Sequence, residues 1–434
     1  MQQTRMVYEE DAQGRRLVPI VIPPGPPAPA RVIESSREMR VSPDGSHVLF
    51  SQIQLGLGGV LTAVPVVGTF TRAADATEYR ITDARVVYGV GEGKQFTHDG
   101  KGVIIIGGQY EAGNVDDIVV DLATGKVTRL TGNLDYDEDT DLSPNGKWIA
   151  IGSTRTLDAL TPMSRIVRPA FLPAQIQGAV YEAYAKTINV TNQEWLIAVE
   201  DDLARENGTP LFVSDDPSTP QDEGDGYTAR SMPSWNQDGT AVTFYERLAT
   251  ADPTLPQTRI VVAKLNYTTS VGTAQGDQVT PDPTWAPKLS EYVPGPAVLP
   301  STGTYPGTGG GTALITEDTT TTPGHTIRTV TYTDYVNEDG LILNGTEWTD
   351  ATASQNSIRY VADIAVTGAH TGYLKGDVTI NKLTRSITPT IAPVDPASKT
   401  GTAADPGSQI RSSLDGDLLV LLDPNRIAAA QAGV

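Results

Sequence analysis

Apolar and polar residues alternate along this chain in runs too short for helices, and the same polar turn precedes many of these runs. Aligned on that turn, the copies are "SPDGSHVLF" at 42–50, "THDGKGVII" at 97–105, "SPNGKWIAI" at 143–151, "NQDGTAVTF" at 236–244 and "SLDGDLLVL" at 413–421. Asp or Asn in such a turn caps its own backbone, and Gly takes the positive φ that other residues resist. The β-branched run behind the turn then enters a buried sheet. The first positions 42, 97, 143 and 236 are spaced by 55, 46 and 93 residues, so a degenerate copy is expected near 190. "VTNQEWLIA" at 190–198 fits, with Asn192 and Trp195 opposite Asn145 and Trp148. A helix over 191–206, opened by Thr191 and Glu194 and stopped at Gly208, competes with this strand. The strand is preferred because "TPLFVSDD" follows as the next strand of the same unit. "PTWAP" at 283–287 likewise repeats "PSWNQ" at 233–237.

A second element accompanies the turn. "IVVDLATGKVTRL" at 118–130 reads as two strands around a Thr-Gly turn, and similar hairpins stand at 7–19 and 378–389. Turn, strand, loop and hairpin together make a small antiparallel sheet of roughly 45 residues, the size of a propeller blade. The last turn motif, at 413–421, has no hairpin behind it, while the hairpin at 7–19 has no motif before it. This order predicts a closed all-β propeller in which the N-terminal hairpin completes the last blade, removing two exposed sheet edges. Turn positions 42, 97, 143, 190, 236, 286 and 413 favour seven blades, with six as an alternative and eight if "NEDGLILNG" at 337–345 is another blade turn. The gap from 286 to 413 requires an insertion. The expected organisation is a first propeller part at 1–297, a Thr/Gly/Pro-rich linker and antiparallel β insertion at 298–375, and a closing part at 376–434. Such an insertion either docks a partner or covers an edge, and the residues do not decide.

"VSPDGSHVLFSQ", "LSPNGKWIAIGS", "PSWNQDGTAVTFYE" and "DIVVDLATGKVTRLT" resemble the repeats of TolB-type β-propellers, relatives of the WD-repeat propellers, over about 1–285 and 376–425. The resemblance implies exported propellers that bind other proteins, or propeller domains attached to hydrolases.

Composition narrows the function. The 434 residues are 38% hydrophobic, with 42 Gly and 31 Pro, an all-β balance. A net charge of −20 with no basic cluster disfavours nucleic acid and anionic membrane surfaces, and no apolar run reaches the roughly 18–20 residues of a membrane span. Zero cysteines remove disulfides and thiolate chemistry. No signal peptide is visible, and the Thr/Gly/Pro-rich, Lys-poor style suggests a periplasmic or extracellular chain whose signal has been removed.

Candidate chemistry centres on "DYDEDTD" at 135–141. In an extended strand Asp135, Asp137, Asp139 and Asp141 share one side, which calls for a cation, Ca2+ fitting best, or for ample water at the propeller mouth. The residues two before each motif, Arg40, Gln95, Asp141, Ser234, Thr284 and Arg411, are expected to line the central channel. Hydrolytic chemistry is poorly supported: there is no G-x-S-x-G elbow, and His47, His98, His325 and His370 lie apart in the sequence. The favoured reading is a non-catalytic exported binding or scaffolding propeller with protein partners, as a subunit of a larger envelope or extracellular assembly. The alternative is a carbohydrate-active or hydrolytic propeller with its site at the channel mouth.

Overall fold

The computed structural model describes residues 5–12, 14–155, 158–173, 193–211, 227–229, 232–248, 254, 257–266, 279–381, 383–384, 386–389 and 410–421. Its strands form five sheets. The first holds β1 (Met6–Asp11), β2 (Gly14–Val21), β3 (Arg31–Val41), β4 (His47–Leu55), β5 (Leu61–Thr71) and β6 (Tyr79–Val86), ordered β1-β2-β6-β5-β4-β3. The second runs β10-β9-β8-β7, from β7 (Glu92–Phe96), β8 (Gly102–Gly108), β9 (Asp116–Asp121) and β10 (Val127–Arg129). The third runs β11-β12-β13-β14, from β11 (Asp137–Leu142), β12 (Trp148–Ser153), β13 (Gln193–Ala198) and β14 (Thr209–Pro210). In the fourth, β17 (Ala241–Leu248) pairs with β15 (Tyr227–Ala229), β16 (Ser234–Trp235) and β18 (Thr258–Lys264).

The repeated turn explains how these four sheets begin. In each, the residue opening the turn donates its N–H to the carbonyl five positions on, as Ser42 to His47, Thr97 to Gly102, Ser143 to Trp148 and Asn236 to Ala241. The Asp or Asn side chain accepts an amide two residues ahead, and Gly45, Gly100, Gly146 and Gly239 hold φ of 75, 68, 71 and 68°. Here Gly is required by conformation.

Each apolar run behind a turn is buried on both faces because the sheets stack in chain order. Val103 and Ile105 of β8 meet Leu49 and Val67 of the first sheet. Ile104, between them, points the other way onto Ile149 and Ile151 of β12. Ala150 then meets Val242 and Phe244 of the fourth sheet. The strands β3, β7, β11 and β16 form the edge at which successive sheets approach one another, so the arrangement is a propeller-like fan.

The fifth sheet differs. It contains β19 (Gly303–Pro306), β20 (Thr312–Asp318), β21 (His325–Val336), β22 (Leu341–Thr352), β23 (Ser357–Gly368), β24 (Gly372–Asn381), β25 (Ser386–Pro389), β26 (Arg411–Leu414) and β27 (Asp417–Val420). Part of the Thr/Gly/Pro stretch is thus strand. Its inner face packs on residues 159–172, which include the short helix α1 (Thr161–Ser164). Arg168 is fully buried there, donating to Glu347 at 2.9 Å and to the Tyr360 hydroxyl at 2.8 Å, while the Tyr332 and Tyr360 hydroxyls each donate to Glu347 at 2.7 Å.

Four sequence expectations are corrected. The N-terminal hairpin does not complete the sheet of the last turn motif; β2 runs parallel to β6, Ile20 opposite Tyr79. Val7 and Ile20 join the core of Phe50, Phe70 and Ile81, and Glu9 accepts from the Tyr79 hydroxyl and from Arg72, which fixes the hairpin to its own sheet. The motif at 413 is a different turn, because Asp415 and Gly416 both have positive φ (48 and 89°) and close a two-residue hairpin between β26 and β27. In addition, β13 pairs with β12 inside the third sheet, Trp195 opposite Ile151, so this strand starts no new sheet; the expected turn at 190–192 itself lies outside the described residues. The competing helix is also present in part, as α2 (Val199–Leu203) directly after β13. Residues 283–287 form no strand; Trp285 instead donates to the Leu122 carbonyl at 2.8 Å and covers Gly125. The turn at 337–341 is one residue shorter than the blade turn, Asn337 N–H donating to the Leu341 carbonyl four positions on, and it lies within the fifth sheet. Four sheets among the described residues therefore carry the blade arrangement.

Candidate functional site

Charged residues inside strands are costly unless paired, yet the inner strands hold several: "SSREMR" in β3, "EGKQF" in β7 and "DEDTDL" in β11. Their ladders are irregular, with register shifts between Glu34 and Arg37, Gly93 and Gln95, and Glu138 and Asp141. Such bulges re-aim side chains. The result is a cluster centred on the buried Lys94, whose Nζ lies 2.8 Å from Glu38, 2.7 Å from Glu138, 3.3 Å from Asp139 and 3.4 Å from Glu92. Arg37 reaches Glu92 at 2.8 Å from the partly exposed side. Four carboxylates thus face two cations, and three of them, Glu38, Glu92 and Glu138, come within 4.8 Å of one another.

The electrostatics follow from crowding. Lys94 is desolvated, but the surrounding carboxylates outweigh that cost and hold it protonated well above its ordinary range. Burial raises Asp139 to about 7 against the pull of Lys94, and it raises Glu92 as well, whereas Lys94 overcomes burial at Glu138 and lowers it. Glu38, Glu92 and Arg37 keep some solvent contact, so the cluster meets solvent through two carboxylates and one guanidinium.

A deeper layer surrounds it. Asp137 accepts from Arg155 at 2.8 Å, and Arg155 also reaches Asp202 at 2.9 Å, all three buried. Asp116 and Glu111 share Arg129, at 2.9 and 2.6 Å. Asp117 accepts the Thr140 hydroxyl and is raised to about 8 by burial.

The stretch 135–141 supplies much of this centre, though not as one carboxylate face. Positive φ at Asp139 (54°) and the bulge beside it break the alternation. Asp135 accepts the amides of Ala159 and Leu160 and the Thr154 hydroxyl; Asp137 has Arg155; Asp139 has Lys94; and Asp141 accepts the Trp235 amide at 2.8 Å. Their charges are compensated separately, by different donors. Of the expected channel residues, Arg40, Gln95, Asp141 and Ser234 lie on the successive inner strands β3, β7, β11 and β16. Thr284 lies outside any strand, its carbonyl accepting from Arg85, and Arg411 is buried in β26 of the fifth sheet. Glu38, Glu92 and Lys94 escaped the sequence reading. Their signal was charge inside the strand before each turn motif.

A second constellation has the residue types of a hydrolase. Ser46 Oγ lies 2.7 Å from His47 Nδ1, and His47 Nε2 lies 2.8 Å from Asp282. The same Ser46 Oγ, however, sits 2.7 and 2.8 Å from the two Asp44 oxygens. Asp44 also accepts from Ser42 and Thr280, and these bonds overcome partial burial and keep it ionised far below its ordinary range. A carboxylate beside the hydroxyl opposes the oxyanion that acyl transfer would build there. Thr240 donates to Asp238 in the equivalent turn, so the contact belongs to the repeat. Asp44 and Asp282 instead tie the segment at 279–282 to the first blade turn.

No protein-family model matches the chain, and no curated protein matches it. Among solved structures it is similar to a TolB protein from Agrobacterium tumefaciens, at 15% identity over 60% of this chain and 70% of that one, with a TM-score of 0.35. It is similar to TolB from Acinetobacter baumannii at 12% identity over 76% and 57%, with a TM-score of 0.32. It is also similar to puromycin hydrolase, at 11% identity over 77% and 47%, with a TM-score of 0.29. The chain spans little more than half of the second structure and less than half of the third.

Proposed function

We propose that this chain is a non-catalytic binding propeller of the periplasm or extracellular medium, a scaffold that receives basic segments of partner proteins at the acidic inner edge of its blades. The observation that supports this most is the Lys94 cluster: four carboxylates against two cations, buried deeply enough to be rigid and open at Glu38 and Glu92. A preorganised acidic site attracts Lys or Arg side chains without reorganising, and a net charge of −20 steers basic partners toward the whole chain. The Asp44 carboxylate beside Ser46 Oγ argues against acyl transfer there. No helix among the described residues is long and apolar enough to cross a membrane.

The test is co-isolation from the native source with two baits, the wild type and the Glu38→Gln/Glu92→Gln double variant. We expect discrete partners on the wild type that are released by high salt and lost from the double variant. The same partners on both baits would remove the acidic centre from the account. Labelling of Ser46 by a fluorophosphonate would replace binding with hydrolysis.

A further inference from the structure

We propose that the outer face of the fourth sheet, around Ile260 and Val262, docks a β-sheet of a partner protein whose row of apolar side chains is flanked by carboxylates. The four stacked sheets leave two end faces. At the first, Val7 and Ile20 of the N-terminal hairpin pack on the cluster that holds Phe50, Val64 and Val66, so that end is closed from within the chain. At the other, Val242 and Phe244 of β17 and Val261 and Ala263 of β18 point inward, onto Ala150 and Leu196. Alternation turns the residues between them outward. The ladder sets Thr243 opposite Val262 and Tyr245 opposite Ile260, so these four share the outer face. Ile260 is 80% exposed and Val262 53%, and no apolar cluster among the described residues includes either. The last sheet of a stack ordinarily turns a polar face to water, and this one keeps an apolar pair there.

Charge selects what covers it. The same face carries Arg247, opposite Thr258, at one end of the apolar row and Lys264, opposite Ala241, at the other, both exposed. Neither has an ion-pair partner among the described residues, and no Asp or Glu of β17 or β18 lies on this face. Glu246 and Arg259 point to the other face, where they pair with each other. A second copy fits poorly. Packed sheets keep their strands within about 30° of one another, so two such faces would set cationic ends against cationic ends whichever way the strands run. An apolar row with Asp or Glu at both ends meets Ile260, Val262 and the two cations together. The interfaces already inside the stack are sheet on sheet: Leu49 and Val67 with Val103 and Ile105, Ile104 with Ile149 and Ile151, and Ala150 with Val242 and Phe244. The partner's sheet extends that series by one.

This inference goes beyond the acidic-centre reading and uses a surface separate from the Lys94 cluster. It is tested on the full chain with three fluorescent, disulfide-closed β-hairpin peptides: one with a Val/Tyr face and Glu at the strand ends, one with the same face and Lys at the ends, and one with a Thr face and Glu at the ends. Methyl NMR of Ile260 and Val262 reports this face, and fluorescence anisotropy gives the affinity. The first hairpin should shift both methyl groups saturably, and the other two should bind this face at least about tenfold more weakly. Ile260→Thr/Val262→Thr, which keeps the charges and the β-branched side chains, should weaken the first hairpin by about tenfold or more and leave the melt unchanged. Arg247→Glu/Lys264→Glu should reverse the preference between Glu-ended and Lys-ended hairpins. No methyl shift with the first hairpin, equal affinity for all three, methyl shifts that follow the concentration of the chain alone, or an unreversed preference in the charge variant would each overturn the proposal. Glu38→Gln/Glu92→Gln should leave binding of the first hairpin unchanged, which separates failure here from failure of the acidic-centre reading.

Discussion

Asp117 offers a sharp test of the electrostatics, through its replacement by Asn. The side chain is buried in β9; one carboxyl oxygen accepts the Thr140 hydroxyl, and the other has no hydrogen-bond partner among the described residues. Burial raises its pKa from 3.8 to about 8, with the Thr140 bond and Lys94 pulling down and Asp137 and Glu138 pushing up. A raised carboxyl keeps its proton when folded and loses it when unfolded. Stability is therefore full below about pH 4 and declines as pH rises from there to about 8. Four units at about 1.4 kcal/mol each set a ceiling on the order of 5 kcal/mol, and relaxation of the interior should bring the observable effect to about 2 kcal/mol. Asn keeps the shape, accepts from Thr140 through its carbonyl, and carries no charge at any pH. Thermal melts of wild type and Asp117→Asn at pH 5 and pH 8 should nearly coincide at the lower pH, with the variant melting higher by a few degrees at the upper. A variant that loses more stability at pH 8 than at pH 5 would show that Asp117 is ionised in the fold and would refute the reasoning.

Other substitutions probe the remaining parts. Lys94→Met leaves Glu38, Glu92 and Glu138 without their shared cation and should cost about 3–5 kcal/mol; part of this should return on adding Ca2+, which should leave the wild-type melt unchanged. Gly146→Ala meets no neighbour within 4 Å, so denaturation should register only the strain of φ 71°, about 1 kcal/mol. Gly311→Ala would drive its Cβ into the Asp334 carbonyl oxygen, and its loss should be several-fold larger. Arg168→Met strands the buried Glu347 and should cost about 3–5 kcal/mol, with Arg168→Met/Glu347→Gln recovering much of the loss in the same melts.

Local chemistry was legible and distant pairing was not. Four of the five Asp/Asn-Gly turns form as read, because their hydrogen bonds lie within six residues and Gly conformation is a local matter. The fifth, at 413, shares the letters, but its register with Asp417 selects a hairpin turn. The closure by the N-terminal hairpin failed for a similar reason: the alternation of Val7, Glu9, Val18 and Ile20 shows that it has an inner face, but not which sheet supplies Phe70, Arg72 and Tyr79. At the site, the acidic run at 135–141 announced itself by composition. Its meaning depended on Lys94, 44 residues before Glu138, and on bulges that no alternation pattern reveals.

The most direct measurement for the binding reading is calorimetric titration of hexa-arginine into the wild type and into Glu38→Gln/Glu92→Gln. The account predicts saturable one-to-one binding to the wild type that weakens with salt and by about tenfold in the double variant. Equal affinity for both proteins would mean that the Lys94 cluster only holds the blades together, and would contradict it.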